Sequence, residues 1–397
     1  MRQKPAICFV SSIPMTLWNF YRLLIVRLLE EGYSVTILSS SIHPLKEFER
    51  MGCSIVPVEI TRTISPWKDF VSLLKLARYF RNSKVSIVHA HTPKGGLLAM
   101  IAAATAGIRH RFYTCHGLAF DTEKGLKRLV MILSERLTCR LAHQVLVVSP
   151  SLLQKMAQYR IGTDAKKMIL GNGTACGLDI KTFDRTLELE AQSRQIRDSL
   201  KIPPEAIVVG FIGRLVPDKG IHLLVQAFSE LYRENDQVRL LVIGNLEPHR
   251  GILPEETLRL LHEHDGIRRL DFTHGIERYY ACMDFLVLPT RREGFPYTLL
   301  EAAAMRIPVI ATMVTGCVDA VVDRVTGLLI EPESTAALLA AMRTLVMDPG
   351  LRKAMGQAAR KRIEEKFRAD LYIQYHQEFY RHHLDPQVSD HQLSTFE

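Results

Sequence analysis

The feature that most constrains this fold is an alternation of short apolar runs with longer amphipathic segments, which occurs once in each half of the chain. In the first half, strand-like runs such as Ser34–Ser39 are separated by helical patterns such as Pro66–Arg81. The alternation starts again at Ala206–Ile212 and continues to Leu328–Ile330. Strands that are apolar throughout and are joined by helices belong to parallel sheets covered on both faces. The sequence therefore predicts two doubly wound α/β domains.

The boundary between the domains is predicted in the polar stretch from Asp184 to Pro203, which has the composition of a solvated helix and linker. We accordingly predict an N-terminal Rossmann-like domain over residues 1–184 and a second one over residues 185–366. Residues 367–397 are predicted to form a C-terminal helix that packs back on the first domain. The segment from Asp385 is predicted to be a polar tail.

Composition excludes several classes of protein. Hydrophobic residues make up 47% and charged residues 23% of the 397 positions, which is typical of a globular chain and not of a disordered one. No apolar run approaches the roughly 18 residues that a membrane-spanning helix needs. Seven cysteines without a C-x-x-C pair, and an N-terminus without the apolar segment of a signal peptide, indicate a protein of the reducing cytoplasm.

Basic residues are concentrated in the first half of the chain. Residues 1–180 carry 24 Lys and Arg against 11 Asp and Glu, whereas residues 181–397 carry 27 against 31. Lys68, Lys75 and Arg78 alternate with leucines and aromatic residues, a pattern typical of a helix lying on an anionic membrane. A crossover helix with its apolar side on the sheet has the same pattern. A phosphorylated substrate and nucleic acid are two other partners for a basic surface, but no reading helix or aromatic–basic RNA motif is present.

A first candidate site is the segment GFIGRLVPDKGI, residues 210–221. A strand ends within it, Gly213 and Arg214 open the turn, and Lys219 precedes a helix that is predicted from Ile221. Two cations beside the unpaired N–H groups of a helix N-terminus form an anion site suited to a diphosphate. A surface turn with two solvated cations is the alternative interpretation.

A second candidate site lies in the segment DFLVLPTRREGFPYTLLEAAAM, residues 284–305. Glu293 follows a strand, Gly294 permits close approach of the backbone to a ligand, and Pro296 stands at the start of a helix. That helix carries Glu301. A carboxylate can accept two hydrogen bonds from a vicinal diol, so both glutamates are candidate ligands of a sugar or a ribose. Helix capping by Glu293 and a solvated Glu301 are the alternative.

Together the two segments resemble glycosyltransferase family 4. The Glu293–x7–Glu301 pair, with GFP after the first glutamate, is similar to the signature of that family, and Gly213–Arg214 with Lys219 is similar to its diphosphate-binding turn. The resemblance implies the GT-B architecture, in which two facing Rossmann-like doubly wound domains enclose a cleft. The segments HAHTPKGG and GCVDAVVDRVTGLL further resemble bacterial transferases that act on undecaprenyl-diphosphate-linked sugars in capsule, O-antigen or protein-glycan assembly.

The resemblance also implies a role for each matching residue, with the donor held by the C-terminal domain and the acceptor by the N-terminal one. The catalytic residues would be His116, which follows a first-domain strand in the segment YTCHG, and Glu293. The donor-binding residues would be Gly213, Arg214, Lys219, Gly294, Phe295, Pro296 and Glu301. In this scheme the two cations hold the diphosphate, Glu301 holds the ribose and Glu293 holds the transferred sugar.

The substrates implied are a nucleoside-diphosphate sugar, UDP-linked and donating a hexose or N-acetylhexosamine, and a lipid-linked saccharide acceptor. No cofactor and no metal are expected, because the chain contains no D-x-D sequence. His89 and His91 share one strand face, but no third metal ligand follows at a recognisable spacing. The family's first loop is often rich in glycine, whereas residues 11–22 contain none, so acceptor contacts in that loop are not carried over.

The expected location is the inner face of the cytoplasmic membrane, with the protein attached peripherally to anionic lipid. Two alternatives stay open. One is a nucleotide-sugar epimerase or phosphorylase on the same architecture, and the other is a basic protein that binds nucleic acid. The paired glutamates followed by GFP argue against the first, and the absence of a nucleic-acid-reading motif argues against the second.

Overall fold

The computed structural model of the protein describes residues 5–40, 44–61 and 63–384. The chain divides into two compact units. The first comprises the chain up to Gly177 together with the segment from Ala369, and the second runs from Leu178 to Arg368. Each unit contains its own parallel sheet, as the repeated alternation predicts.

The described residues of the first unit build a seven-stranded parallel sheet in the order β3-β2-β1-β4-β5-β6-β7. The strands are β1 (Ala6–Ser11), β2 (Ser34–Ser39), β3 (Ser54–Pro57), β4 (Val85–His91), β5 (His110–Cys115), β6 (Gln144–Val147) and β7 (Lys167–Met168). The helices between them are α1 (Pro14–Glu30), α2 (Leu45–Arg50), α3 (Pro66–Asn82), α4 (Pro93–Thr105), α5 (Gly125–Leu141) and α6 (Pro150–Gln158). Ile7 and Phe9 of β1 are fully buried, because helices cover both faces of the sheet.

The second unit builds, over its described residues, a six-stranded parallel sheet in the order β10-β9-β8-β11-β12-β13. Its strands are β8 (Ile207–Ile212), β9 (Val238–Ile243), β10 (Ile267–Leu270), β11 (Phe285–Leu288), β12 (Val309–Thr312) and β13 (Gly327–Ile330). Its helices are α7 (Leu187–Ser199), α8 (Ile221–Glu234), α9 (Glu255–Glu263), α10 (Glu277–Tyr280), α11 (Tyr297–Ala304), α12 (Cys317–Ala320), α13 (Thr335–Met347) and α14 (Pro349–Lys366).

The last helix, α15 (Ala369–Leu384), belongs to the first unit although it follows the second in sequence. Its buried side is aromatic: Phe379 lies against Phe112 of β5, with the ring centroids 4.6 Å apart. Burying aromatic side chains of this size provides most of the free energy that holds such a helix on a sheet. The predicted polar tail from Asp385 lies outside the described residues.

The stretch from Asp184 to Pro203, predicted as a solvated helix and linker, contains helix α7 as predicted, but the whole stretch belongs to the second unit. Ser193 on this helix is buried, and its carbonyl oxygen accepts a hydrogen bond from the Cys282 thiol at 3.5 Å. The two units divide before Leu178 and not after Asp184, because Leu178 forms a β-bridge with Arg368 within the second unit. The polar residues of this stretch form the exposed side of α7, and the opposite side of that helix is packed in the second unit. Polar composition alone therefore did not identify a linker.

Strand order reverses once in each sheet, between β1 and β4 in the first unit and between β8 and β11 in the second. In open α/β sheets, ligands bind in the crevice beside the carboxyl ends of the strands at such a point. The predicted donor-binding segments follow β8 and β11, and His116 directly follows β5, which pairs with β4. The topology thus places the sequence motifs where this class of fold binds ligands.

Candidate active site

In the second unit, the two donor-binding segments lie side by side. Strands β8 and β11 pair directly, with Phe285 opposite Val209, so the loops that follow them leave the same edge of the sheet. The Arg291 N–H and the Thr290 hydroxyl both donate to the carbonyl oxygen of Asp218, at 2.8 and 3.1 Å. The structure therefore joins two motifs whose contacting residues are 72 positions apart in the chain.

Lys219 and Glu293 form an ion pair between these two loops, which joins Nζ to Oε1. Their side chains are 17% and 12% exposed, so the pair is largely shielded from water. Gly220 makes this approach possible: its φ is +69°, and a Cβ there would lie 1.9 Å from the carbonyl oxygen of Pro289. Helix α8 begins at Ile221, as predicted, so its unpaired N–H groups follow the lysine directly.

Arg214 lies in the same loop but makes a different ion pair. Its Nη1 is 3.5 Å from Oε2 of Glu247, an oxygen that also lies 2.6 Å from Nε of Arg250. The Arg214 side chain is 39% exposed, and over the described residues Glu247 is its one ion-pair partner. Most donors of this guanidinium are therefore open to a ligand.

Glu301 lies on α11 and is held by a buried tyrosine. The Tyr280 hydroxyl donates to Oε2 of Glu301 at 2.6 Å and lies 3.3 Å from the carbonyl oxygen of Thr298. Burial raises the pKa of Glu301 to about 7, although the hydrogen bond from Tyr280 acts in the opposite direction. Tyr280 is the one hydrogen-bond partner of this carboxyl group within the described part of the chain, so its second oxygen stays available.

The backbone between the two glutamates is tightly packed. Gly316 has a φ of +79°, and a Cβ there would lie 2.4 Å from the carbonyl oxygen of Gly294. Phe295 packs on Phe367, with ring centroids 5.4 Å apart, and Pro296 is the N-cap of α11. These contacts fix the loop that presents Glu293.

In the first unit, His116 stands at the carboxyl end of β5 and is half-buried. Its Nε2 lies 3.3 Å from Nδ1 of His91, and its ring stacks on Phe20 with the centroids 5.5 Å apart. Burial lowers the pKa of His116 to about 4, so the ring is neutral near pH 7.

His116 belongs to a buried cluster of histidines that sequence analysis did not assemble. His89 Nδ1 lies 2.6 Å from the Tyr380 hydroxyl, and its Nε2 lies 2.7 Å from the Thr114 hydroxyl. His376 of α15 lies with its ring centroid 6.4 Å from that of His89. Burial lowers the pKa of His89, His91 and His376, the last to about 4. The alternation His89–Ala90–His91 signals one shared strand face, but the partners on α15 have no signal in the local sequence.

Residues missed in the second unit are Tyr280, which holds Glu301, and Glu247, which holds Arg214. Phe272, after β10, presents a ring that is 61% exposed, and its N–H is bound by the Asn245 side chain at 3.0 Å. None of these positions belongs to a motif, because each contacts a residue on a different element of the fold. Among the described residues, no group of three or more His, Cys, Asp or Glu side chains is placed to hold a metal ion.

Comparison with known proteins agrees with this arrangement. Residues 17–173 match the glycosyl transferase 4-like domain, and residues 192–362 match the glycosyl transferases group 1. The capsular polysaccharide biosynthesis glycosyltransferase CapM of Staphylococcus aureus is 32% identical over 343 residues, which are 86% of this chain and 88% of CapM. The chain therefore belongs to glycosyltransferase family 4, and the protein is a glycosyltransferase.

More distant similarity covers most of the chain as well. The UDP-Gal:alpha-D-GlcNAc-diphosphoundecaprenol alpha-1,3-galactosyltransferase of Escherichia coli is 24% identical over 86% of this chain and 89% of its own length. The crystal structure of Anabaena HepE in complex with UDP and glucose is 19% identical and superposes with a TM-score of 0.78, over 95% of this chain and 99% of HepE. At that identity the second match concerns the fold, which is the GT-B glycosyltransferase fold. Over residues 5–40, 44–61 and 63–384, we find no helix with the length and apolarity needed to cross a bilayer.

Proposed function

We propose that the protein is a retaining glycosyltransferase that moves a hexose or N-acetylhexosamine from a UDP-linked donor to a saccharide on undecaprenyl diphosphate. The observation that carries this proposal is the shielded Lys219–Glu293 pair at the carboxyl edge of the second sheet. A leaving diphosphate is anionic and a sugar is a polyol, so the cation and the carboxylate match the two halves of a nucleotide sugar at the scissile bond.

The leaving group would be held by Arg214, Lys219 and the N-terminus of α8. An ammonium has three N–H donors, so Lys219 can keep its contact with Glu293 and also bind a phosphate oxygen. Arg214 adds an exposed guanidinium, whose fork geometry fits a phosphate. Fixed positive groups of this kind stabilise the charge that develops on the diphosphate as the bond breaks. Neither a metal nor a cofactor has a step in this scheme.

Glu301 would bind the ribose of the donor. Its Oε2 is occupied by Tyr280, and its other oxygen is available to a hydroxyl donor. Phe272, which follows β10 at the same edge of the sheet, has an exposed flat ring on which a base would stack. The donor would thus lie along the carboxyl edge of the second sheet, with its sugar at Glu293 and the backbone of Gly294 and Phe295.

The chemistry proposed is a front-face displacement. The bond between the anomeric carbon and the diphosphate oxygen breaks, and a bond to the acceptor oxygen forms on the same face of the ring. The proton of the acceptor hydroxyl passes to the departing diphosphate, so no protein carboxylate is needed as a nucleophile. The ring carries positive charge between these events, and His116, neutral near pH 7, would face it without repelling it.

The acceptor is proposed from the relatives. CapM is named for capsular polysaccharide biosynthesis, and the Escherichia coli relative is named for transfer to a diphosphoundecaprenol-linked sugar. Both similarities extend over most of the chain, including the N-terminal unit that would hold the acceptor. We place this protein in the same kind of assembly, that of a cell-surface polysaccharide or glycan.

A lipid-linked acceptor requires the enzyme to reach the bilayer, and two helix faces of the first unit support peripheral attachment. On α3, Trp67, Phe70 and Leu74 are 76%, 50% and 53% exposed, and basic side chains stand beside them. On α5, Leu126 and Leu133 are 76% and 51% exposed. Both helices pack on α4, so they share one side of the sheet. Exposed apolar side chains surrounded by lysine and arginine are typical of helices that lie in an anionic membrane interface.

The function is tested by incubating the full chain with a panel of nucleotide sugars and an undecaprenyl-diphosphate-linked saccharide. We expect UDP release together with a larger lipid-linked product, and α-anomeric signals in both donor and product. UDP release without product growth, conversion of the donor to its epimer, or phosphate-dependent cleavage of a glycan would contradict the proposal. The last two outcomes would favour an epimerase or a phosphorylase.

The membrane attachment is tested by sedimentation with anionic and neutral vesicles. Replacing Lys68, Lys75 and Arg78 by Glu should release the protein from anionic vesicles, because each basic residue near such a surface contributes about 1 kcal/mol. The matched control makes the same charge change at three exposed positions of the second unit, Arg343, Lys353 and Lys361. Equal loss in both variants, or a wild type that ignores anionic vesicles, would remove the membrane from the proposal. A salt-sensitive gel shift with nucleic acid would instead favour the nucleic-acid alternative.

A further inference from the structure

The contact between His91 and His116 leaves one of their four ring nitrogens open to a ligand. His91 is fully buried, and its Nε2 has no hydrogen-bond partner in the described structure. His116 uses Nε2 toward His91, at 3.3 Å, and is half-buried. Its Nδ1 is not among the buried unpaired atoms, so this nitrogen is the open one.

Two arrangements of protons are compatible with a hydrogen bond between two neutral histidines. In the first, His91 Nδ1–H donates to His116 Nε2, and His116 carries its own proton on the open Nδ1. In the second, His116 Nε2–H donates to His91 Nδ1, and the remaining proton of His91 stands on its buried, unpaired Nε2. A buried N–H without an acceptor is rarer and costlier than a buried lone pair without a donor. The first arrangement is therefore favoured.

We propose that His91 is a positioning residue that fixes His116 as the Nδ1–H tautomer, which makes His116 a hydrogen-bond donor to the transferred sugar and not a base. The inference rests on the proposed role of His116 at the donor sugar. Beyond that role, it assigns Nδ1 of His116 as the acting atom, the neutral Nδ1–H form as its state, and His91 as the buried side chain that sets this state.

The surroundings of the pair agree with a neutral donor. The titratable groups that face it are His89 of β4, Tyr21 of α1 and His376 of α15. None of these is a carboxylate, the usual partner that stabilises a protonated histidine, and no described carboxylate contacts either ring. Burial lowers the pKa of His91 well below its ordinary value and that of His116 to about 4.

The test reads the tautomer directly on the full chain without substrate. Histidine labelled with ¹⁵N in both ring nitrogens gives a protonated signal and an unprotonated signal for each neutral ring, and those of His116 are identified by their loss in His116→Gln. We expect Nδ1 of His116 to be the protonated nitrogen between pH 6 and pH 8. A protonated Nε2, or a doubly protonated ring in this range, would overturn the inference.

Substitutions at position 91 test whether that side chain sets the tautomer. His91→Phe keeps the packing on Phe9, whose ring lies 6.0 Å away and nearly parallel, but removes the donor. In the His91→Phe variant, His116 should become a mixture of the two neutral tautomers. His91→Asn, whose amide nitrogen stands close to the position of Nδ1, should restore the Nδ1–H form. An unchanged tautomer in a folded His91→Phe variant would overturn the role of His91.

Activity of conservative variants gives a second readout. Asn at position 116 places an amide N–H near Nδ1 and Gln places one near Nε2, so His116→Asn should retain about fivefold more turnover than His116→Gln, the effect of one neutral hydrogen bond. The reverse order would overturn the inference. These outcomes are separable from failure of the proposed function, because the tautomer is measured on the free protein whether or not UDP-sugars are substrates.

Discussion

The two units present opposite chemistry at the carboxyl ends of their sheets. In the second unit the predicted site is charged, with Lys219 paired to Glu293 and Arg214 paired to Glu247. In the first unit the predicted residue His116 lies in a cluster of neutral rings, held by hydrogen bonds between histidines and hydroxyl groups. The sheets have the same topology around their switch points, so the difference comes from the side chains that follow the strands.

This difference matches the charges that develop during glycosyl transfer. A diphosphate gains negative charge as it leaves, and in the proposed function the ion-paired Lys219 and Arg214 are already oriented to receive it. The sugar ring gains positive charge, so the proposed role of His116 requires a neutral imidazole. Burial, which disfavours the charged form, lowers the pKa of His116, whereas Lys219 and Arg214 of the second unit lie beside carboxylates.

The largest effect that we expect from this contrast is on stability in acid. Burial lowers the pKa of His116 and His376 from 6.5 to about 4. The unfolded chain therefore takes up protons that the folded unit does not, and the free energy of unfolding falls as the pH drops from about 6.5 to 4. Each of the two contributes roughly 3 kcal/mol. Glu135, whose pKa burial raises to about 7, offsets one such contribution.

The measurement is urea unfolding at pH 7 and pH 5, followed by tryptophan fluorescence. Both tryptophans of the chain, Trp18 and Trp67, lie in the first unit, so this signal reports that unit alone. His376→Gln should reduce the pH dependence. A fluorescence midpoint that is the same at both pH values would contradict the neutral, buried state of the cluster.

The next largest effect concerns the diphosphate. Lys219→Ala should reduce kcat/KM for the donor by about tenfold to hundredfold, since a hydrogen bond to a charged group is lost. Arg214→Ala should have a smaller effect in the same direction, because that side chain is more exposed. Arg343→Ala, which breaks a surface ion pair with Glu234, is the control and should leave kcat/KM unchanged. Full activity of Lys219→Ala at limiting donor would mean that the charged site is not the diphosphate site.

The two glutamates are expected to separate in steady-state kinetics. Glu293→Gln should mainly lower kcat, because its contact with the transferred sugar lies beside the breaking bond. Glu301→Gln should mainly raise KM for the donor, because a ribose contact is the same in the ground state and the transition state. Both effects should be on the order of tenfold. The same pattern in both variants would contradict this division of roles.

Donor affinity should also depend on pH through Glu301. Its carboxyl group, with a pKa of about 7, accepts stronger hydrogen bonds from a ribose when it is ionised than when it is protonated. The dissociation constant of UDP-glucose, whose diphosphate does not titrate in this range, should therefore fall by up to about tenfold from pH 6 to pH 8. Calorimetry on wild type and on Glu301→Gln, in which the dependence should disappear, checks this. A flat wild-type profile would place the ribose elsewhere.

The smallest expected effect is that of a chelator. If Arg214 and Lys219 supply the positive charge at the leaving group, excess EDTA should leave the transfer rate unchanged. The assay compares rates with EDTA, with added magnesium and with added manganese. Loss of activity that either metal restores would show that the cations of the second unit are not sufficient.

Local sequence was enough to predict much of this protein. The two parallel sheets follow from apolar runs and amphipathic helices, because the period of a pattern is set by the geometry of its own backbone. The start of α8 at Ile221 and the Glu293–Glu301 loop were readable for the same reason, since turn and capping residues act on their immediate neighbours. Family resemblance then rested on residues that are close together in the chain.

Tertiary structure alone decided the contacts that give those residues their chemistry. Lys219 meets Glu293 across 74 positions because β8 and β11 are neighbours in the sheet. The histidine cluster needs side chains from β4 and β5 and from α15, which returns to the first unit after the whole of the second. Pairing and burial depend on which strands become adjacent, and so do the altered pKa values of His116 and Glu301; no local pattern records that adjacency.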